Sequence, residues 1–135
     1  MSQELIFAPM GAMALLTFFV LGFIPATRFR AVIARQVTAD DFRFGESPRV
    51  PPNVAVTNRN FMNLLELPML FYVAGLMYYV AGRVDTAALA LAWGYVALRA
   101  IHSTIHLSYN NVIHRLAAYA LSNFVLLAFW VLFFV

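Results

Sequence analysis

The sequence predicts an all-α integral membrane protein, a bundle of four transmembrane helices, and three observations lead to this: its composition, its long uncharged runs and the placement of its charges. The chain has 135 residues, of which 63% are hydrophobic and 11% charged, with a mean hydropathy of +0.78. Soluble domains are about half apolar and about a quarter charged. A soluble globule of this size would expose a large apolar area to water, which disfavours small soluble enzymes, nucleic-acid-binding proteins and disordered chains.

The first and last helices are predicted from runs without any charged residue. Residues 5–27 give 23 such positions and residues 116–135 give 20. Either run crosses a hydrocarbon core about 30 Å thick. Two further apolar segments lie between them, separated by the turn sequences GRVD and Asn110-Asn111. We expect one domain over residues 1–135, with helices at about residues 5–27, 54–81, 86–109 and 114–135.

The arginines predict how the bundle is oriented. All nine basic residues are arginine, and five of them lie in the polar connection after the first helix, where adjacent prolines at 51 and 52 favour an extended chain. Arg115 precedes the apolar run of the fourth helix, whereas the opposite side carries only Glu4, Arg83 and Asp85. Because basic residues favour the cytoplasmic side, we expect cytoplasmic first and third loops and external termini, in the inner membrane if the source is a bacterium.

Charged side chains interrupt the second apolar segment at helical spacing. Arg59, Asn63 and Glu66 follow the pattern i, i+4, i+7 and form one stripe about 10 Å long. An ionised side chain at mid-membrane costs at least about 2.5 kcal/mol, so it normally faces protein or water. The stripe is therefore a candidate binding surface, or part of a polar network that stabilises the bundle.

The third apolar segment carries a second polar stripe, formed by Arg99, His102 and His106 and continued by Tyr109 or Asn110. The two stripes can pair with each other in a stabilising network, or they can converge on a ligand. A third interpretation is a metal site, in which both histidines and Glu66 form a two-histidine, one-carboxylate set for iron or zinc. Neighbouring arginines oppose the binding of a cation, so this interpretation is the weakest of the three.

Two stretches resemble a known family. The sequence NRNFMNLLELP, with Arg59, Asn63 and Glu66, resembles the second-helix signature of the MAPEG family, the membrane-associated proteins in eicosanoid and glutathione metabolism. The stretch LRAIHSTIHLSYNNVIHR is similar to that family's third helix, with Arg99 followed sixteen positions later by Arg115. Length and helix count fit as well, so the chain resembles a divergent, bacterial-type member over nearly its whole length.

The resemblance implies a homotrimer that holds glutathione between neighbouring subunits near the cytoplasmic side. Arg59, Asn63, Glu66 and Arg99 match family positions that hold glutathione, and Arg115 matches the arginine proposed to stabilise its thiolate. The chemistry agrees with these roles. Glutathione has two carboxylates, which suit arginine forks, and one ammonium, which suits a glutamate. A nearby cation also favours the thiolate over the thiol.

The sequence departs from the better-known members at several positions. His106 replaces the tyrosine expected seven residues after the third-helix arginine, and Ala55 and Val56 stand where a Glu-Arg pair usually precedes the second-helix arginine. The proline after Glu66 comes one position early, at Pro68. His106 can replace the missing hydroxyl as a hydrogen-bond donor, so it is a candidate catalytic residue together with Arg115.

Two functions follow from these residues. The first is a glutathione-dependent membrane transferase or peroxidase, in which the thiolate attacks a hydrophobic small molecule that enters from the bilayer. The second is a non-catalytic accessory or scaffolding protein that keeps the fold within a larger membrane complex. The residues lost relative to active members favour the second, whereas the retained arginines and Glu66 favour the first.

Overall fold

A computed structural model describes all residues from Met1 to Val135 and contains helices without any strand. The α-helices are α1 (Phe7–Ile33), α2 (Pro52–Leu65), α3 (Pro68–Val80), α4 (Thr86–Leu107) and α5 (Val112–Phe134). Since α2 and α3 together make one crossing, four segments are long and apolar enough to span a membrane. The predicted four-helix membrane bundle is confirmed.

Helix α1 continues beyond the end expected at residue 27 and reaches Ile33. Arginine has a high helix propensity, and a basic residue in the last turn interacts favourably with the helix dipole, as Arg30 does here. The helix ends where Arg35 adopts a left-handed conformation with φ of 56°. Two of the five arginines assigned to the first loop, Arg28 and Arg30, therefore lie on α1.

The second crossing is interrupted, although one helix over residues 54–81 was expected. Helix α2 ends at Leu65, and Glu66 departs from helical geometry with ψ of −91°. Pro68 begins α3 and explains the break, because proline has no N–H to donate to the preceding turn and clashes with it. The break leaves Glu66 at the C-terminal end of α2 instead of in the middle of a helix.

Buried aromatic side chains hold α3, α4 and α5 together. Tyr78 stacks on Phe129 with ring centroids 4.6 Å apart, and its hydroxyl donates to the Phe129 carbonyl at 2.9 Å. Phe71 lies between them and Tyr95, 4.9 Å from the Tyr95 ring. Helix α1 approaches α3 closely at Gly75, where a side chain would collide with Met10.

The two ends of the bundle are built differently. At one end, the Gln3 side chain accepts a hydrogen bond from the Val84 N–H at 2.7 Å, and the Arg83 guanidinium donates to the Phe133 carbonyl. These bonds tie the N-terminal segment, the turn after α3 and the end of α5 together. Because successive spans alternate in direction, the loop 34–51 and the turn 108–111 lie at the other, arginine-rich end.

The loop 34–51 is ordered around the buried carboxylate of Asp41. This carboxylate accepts hydrogen bonds from the Thr38 backbone N–H at 2.8 Å and the Ser47 hydroxyl at 2.8 Å. The Arg49 guanidinium pairs with it at 2.7 Å. The Thr38 N–H, the Ser47 hydroxyl and the Arg49 charge stabilise the ionised form, which lowers the pKa of Asp41 to about 2.

Acidification is expected to loosen this loop at an unusually low pH. Because folding lowers the pKa of Asp41, its stabilising effect is complete above the ordinary carboxyl range and is lost as the pH falls from about 4 towards 2. Amide protection measured by hydrogen exchange over residues 38–50 should fall across this interval. Asp41→Asn should lower protection already at neutral pH, whereas Asp40→Asn, at the exposed neighbouring position, should not. Equal protection in the two variants would contradict the assignment.

Candidate functional site

A cleft of about 490 Å³ opens at the arginine-rich end, between the middle of α2, the end of α4 and the start of α5. Its volume lies within the range of about 300–1,000 Å³ typical of small-molecule sites. Seven of its eleven lining residues are polar or charged. The lining consists of Asn58, Arg59, Met62, Asn63, Glu66, His102, His106, Val112, Arg115, Leu116 and Tyr119.

Five of the six residues predicted from the sequence to bind glutathione or act in catalysis lie together in this cleft. Helix α2 supplies Arg59, Asn63 and Glu66, as their spacing predicts. His106 comes from the last turn of α4, and Arg115 comes from the first turn of α5. The short turn between α4 and α5 brings these two residues to the same end of the bundle.

Arg99, the sixth residue, lies behind the cleft and does not line it. Its side chain is fully buried, and its Nε donates to the Tyr95 hydroxyl at 3.1 Å. The guanidinium carbon stands 5.1 Å from the centre of the Tyr119 ring, and Tyr119 does line the cleft. Both terminal nitrogens of Arg99 lack a hydrogen-bond partner within the chain. Arg99 therefore places a buried positive charge behind the Tyr119 ring.

The charged groups of the cleft make no ion pairs within the chain. The two ion pairs present both belong to the region around the loop 34–51, and neither involves Arg59, Glu66 or Arg115. Arg115 lies at the N-terminal end of α5, where the helix dipole favours an anion. Glu66 lies between the C-terminal end of α2 and the N-terminal end of α3, whose dipoles oppose each other there.

The two histidines of α4, His102 and His106, form part of the buried wall of the cleft, and their ring centroids are 5.6 Å apart. His102 Nδ1 lies 3.2 Å from the Arg115 carbonyl. Because a carbonyl oxygen only accepts, Nδ1 is the donor in this contact. His102 Nε2 and His106 Nδ1 are both buried without a partner in the chain.

The metal interpretation gains nothing from this geometry. No group of three or more His, Cys, Asp or Glu side chains is arranged to hold a metal ion. Glu66 lines the same cleft as His102 and His106, but it does not complete a ligand set with them.

Sequence reasoning missed Tyr119. This residue is four positions after Arg115, so both lie on one face of α5 and both line the cleft. The same spacing, applied from Arg115 into the fourth helix, would have found it. Its ring lies 5.6 Å from that of His102. Tyr119 thus supplies a phenol to the cleft, where His106 stands in place of the tyrosine expected on the third predicted helix.

Asn58 was missed as well, whereas Asn60 belongs to a different contact. Asn58 lines the cleft one position before Arg59. Asn60 is fully buried and accepts a hydrogen bond from the Ser103 hydroxyl at 3.2 Å. This bond joins α2 to α4, and neither of its residues belongs to the two polar stripes predicted from the sequence.

Four membrane-crossing helices with a charged cleft at one end define a small multi-pass membrane protein with a candidate site for a polar ligand. The chain matches the family model of the MAPEG family over residues 6–135 and therefore belongs to that family. Membership supports a glutathione-related transferase, peroxidase or related membrane function at the level of the family. A comparison with curated proteins and a comparison with solved structures each find no match.

Proposed function

We propose that this protein binds glutathione in the charged cleft and activates its thiol to attack hydrophobic electrophiles, as a membrane transferase or peroxidase. The observation that carries the proposal is that Arg59, Glu66 and Arg115 share one cleft without pairing with each other. Ionised groups near a membrane are costly unless they meet a partner. Glutathione, with two carboxylates and one ammonium, offers partners of both signs.

The wall formed by α2 suits the amino-acid end of glutathione. The Glu66 carboxylate, at the end of α2, favours the ammonium group. The Arg59 guanidinium, two turns earlier, can hold a carboxylate through a two-point hydrogen bond. Asn63 lies between them and offers both a donor and an acceptor.

The wall formed by α5 suits the thiolate. A free thiol titrates at about pH 8.5, so only a minority is ionised at neutral pH. Arg115 and the N-terminal end of α5 both stabilise an anion and therefore lower the thiol pKa. His106 and the Tyr119 hydroxyl are further polar groups of the lining, and they can donate hydrogen bonds to the sulfur.

The apolar residues of the lining suit a second substrate that dissolves in the bilayer. Met62, Val112 and Leu116 line the cleft and are themselves exposed. With an aryl halide, the thiolate sulfur would form a bond to the ring carbon and the halide would leave. Arg99 would add positive charge behind Tyr119 without touching either substrate.

The proposal includes the assembly and the orientation expected for the chain. Arg59 and Glu66 are largely exposed on the open side of the cleft, as a site that a neighbouring subunit completes would require. We therefore propose a homotrimer within the bilayer, with the arginine-rich end in the cytoplasm and both termini outside.

Calorimetry on the purified protein in detergent should detect glutathione binding, and the same preparation should conjugate glutathione to an aryl chloride. Arg43→Gln, an exposed charge removal outside the cleft, should change neither result. Absence of glutathione binding would overturn the proposal. If the protein then also co-purified with a larger complex in fixed proportion, the accessory function would be favoured.

A further inference from the structure

The turn between α4 and α5 contains two asparagines with different tasks. Asn111 caps α5, because its side chain accepts hydrogen bonds from the backbone N–H groups of Ile113 and His114 at 3.0 and 3.1 Å. Asn110 has a left-handed backbone with φ of 48°. Asparagine adopts this conformation more readily than most residues, so the turn geometry alone gives a reason for its presence.

The Asn110 side chain makes a contact that turn geometry does not require. Its Oδ1 accepts a hydrogen bond from Nη1 of Arg115 at 2.7 Å. This is the only hydrogen bond that the Arg115 guanidinium makes within the chain. A guanidinium has five N–H donors, so four are left for a ligand in the cleft.

The main chain of Arg115 is fixed as well. His102 Nδ1 donates to its carbonyl across the α4–α5 contact at 3.2 Å, and its own N–H donates to the Asn111 carbonyl at 3.0 Å. Arg115 is therefore held at the backbone by two groups and at the tip of its side chain by one. A long and flexible side chain is thereby restricted to one direction at the edge of the cleft.

We propose that Asn110 is a positioning residue that directs the Arg115 guanidinium into the cleft while leaving its charge uncompensated. A carboxylate at this position would hold the guanidinium equally well, but it would cancel much of the positive charge available to an anion. The amide is a neutral acceptor and avoids this cost. The inference rests on the proposed function, since the anion in question is the glutathione thiolate.

Thiol titration tests the neutral-acceptor argument with two variants and one control. Asn110→Asp keeps a residue that tolerates the left-handed turn but adds a negative charge, and Asn110→Gly keeps the turn but removes the acceptor. The ultraviolet absorbance of bound glutathione thiolate should titrate at higher pH in both variants than in the wild type. The thiol pKa should rise by about one unit. Conjugation at neutral pH should therefore fall by about tenfold and recover at alkaline pH. Asn111→Ser, which keeps a good helix cap, should titrate like the wild type.

A second measurement needs no glutathione and separates this inference from the proposed function. Phenylglyoxal modifies accessible arginines, and mass spectrometry of the peptide that contains Arg115 gives the rate at this residue. Loss of the Asn110 amide should raise that rate severalfold in Asn110→Gly, while Asn111→Ser should match the wild type. If the wild type fails to bind glutathione, the proposed function fails, but these rates still decide whether Asn110 restrains Arg115.

Two results would overturn the inference. One is an Arg115 modification rate in Asn110→Gly equal to that of the wild type. The other is a thiol titration in Asn110→Asp that coincides with the wild type, because a purely structural turn residue tolerates this replacement. If Asn110→Gly does not fold, as judged by circular dichroism, the thiol titration of Asn110→Asp alone tests the inference.

Discussion

Arg115→Ala is expected to lower glutathione conjugation at neutral pH by about 100- to 1,000-fold while leaving the helical bundle intact. Removing a single group that stabilises a developing or reacting anion typically has an effect of this size. Arg115 is partly buried at the cleft, and its side chain bonds only to Asn110, so its loss leaves no buried ionic partner behind. The rate with an aryl chloride, measured as a function of pH, checks the expectation.

The pH profile identifies the cause of this loss. If Arg115 stabilises the thiolate, the deficit of Arg115→Ala should shrink at alkaline pH, where the thiol ionises without assistance. Arg43→Gln provides a matched removal of an arginine from the same end of the molecule, outside the cleft. A rate for Arg115→Ala within a factor of two of this control would remove Arg115 from the proposed mechanism.

Glu66→Gln is expected to weaken glutathione binding by about 10- to 100-fold, with a smaller effect on the reaction of bound glutathione. A hydrogen bond to a charged group contributes about 1.5–3 kcal/mol, which corresponds to this range in Kd. The replacement keeps the shape of the side chain and removes only the charge at the C-terminal end of α2. Calorimetric titration of the variant gives the Kd directly.

A ligand lacking the amino group sharpens the assignment of Glu66. Desamino-glutathione should bind the wild type and Glu66→Gln with similar affinity, because neither pair retains the attraction between carboxylate and ammonium. Glu4→Gln removes an exposed carboxylate from the opposite end and should bind glutathione like the wild type. If Glu66→Gln weakened both ligands equally, Glu66 would act on the cleft as a whole and not on the ammonium.

The number and approximate positions of the crossings could be predicted from the sequence, but hydropathy alone could not predict the interruption of the second one. Uncharged runs as long as the bilayer is thick leave few alternatives to a helix, because a spanning backbone must satisfy its hydrogen bonds internally. Hydropathy averages over many residues, so it is insensitive to a local event such as the missing N–H of Pro68. Pro68 is the one signal in the sequence that could have predicted a break in the helix at Glu66.

The candidate site, too, could be predicted only in part from the sequence. Helical periodicity places Arg59, Asn63 and Glu66 on one face, and the structure gathers them accordingly. It also places Arg99 on the face of His106, but the two are separated by seven residues, or about 10 Å along α4. Periodicity gives the direction of a side chain around its helix. It does not indicate where a residue from another helix, here Tyr119, closes the cleft.

Two hydrogen bonds fix the chain termini at the same end of the bundle. They join Gln3 to the turn at Val84, and that turn to the carbonyl of Phe133. They hold both ends of the described chain on the face of the molecule farthest from the cleft. An affinity tag or a surface linkage at either end would therefore not block the cleft. Immobilised protein is accordingly a suitable format for measuring the binding of glutathione and its analogues.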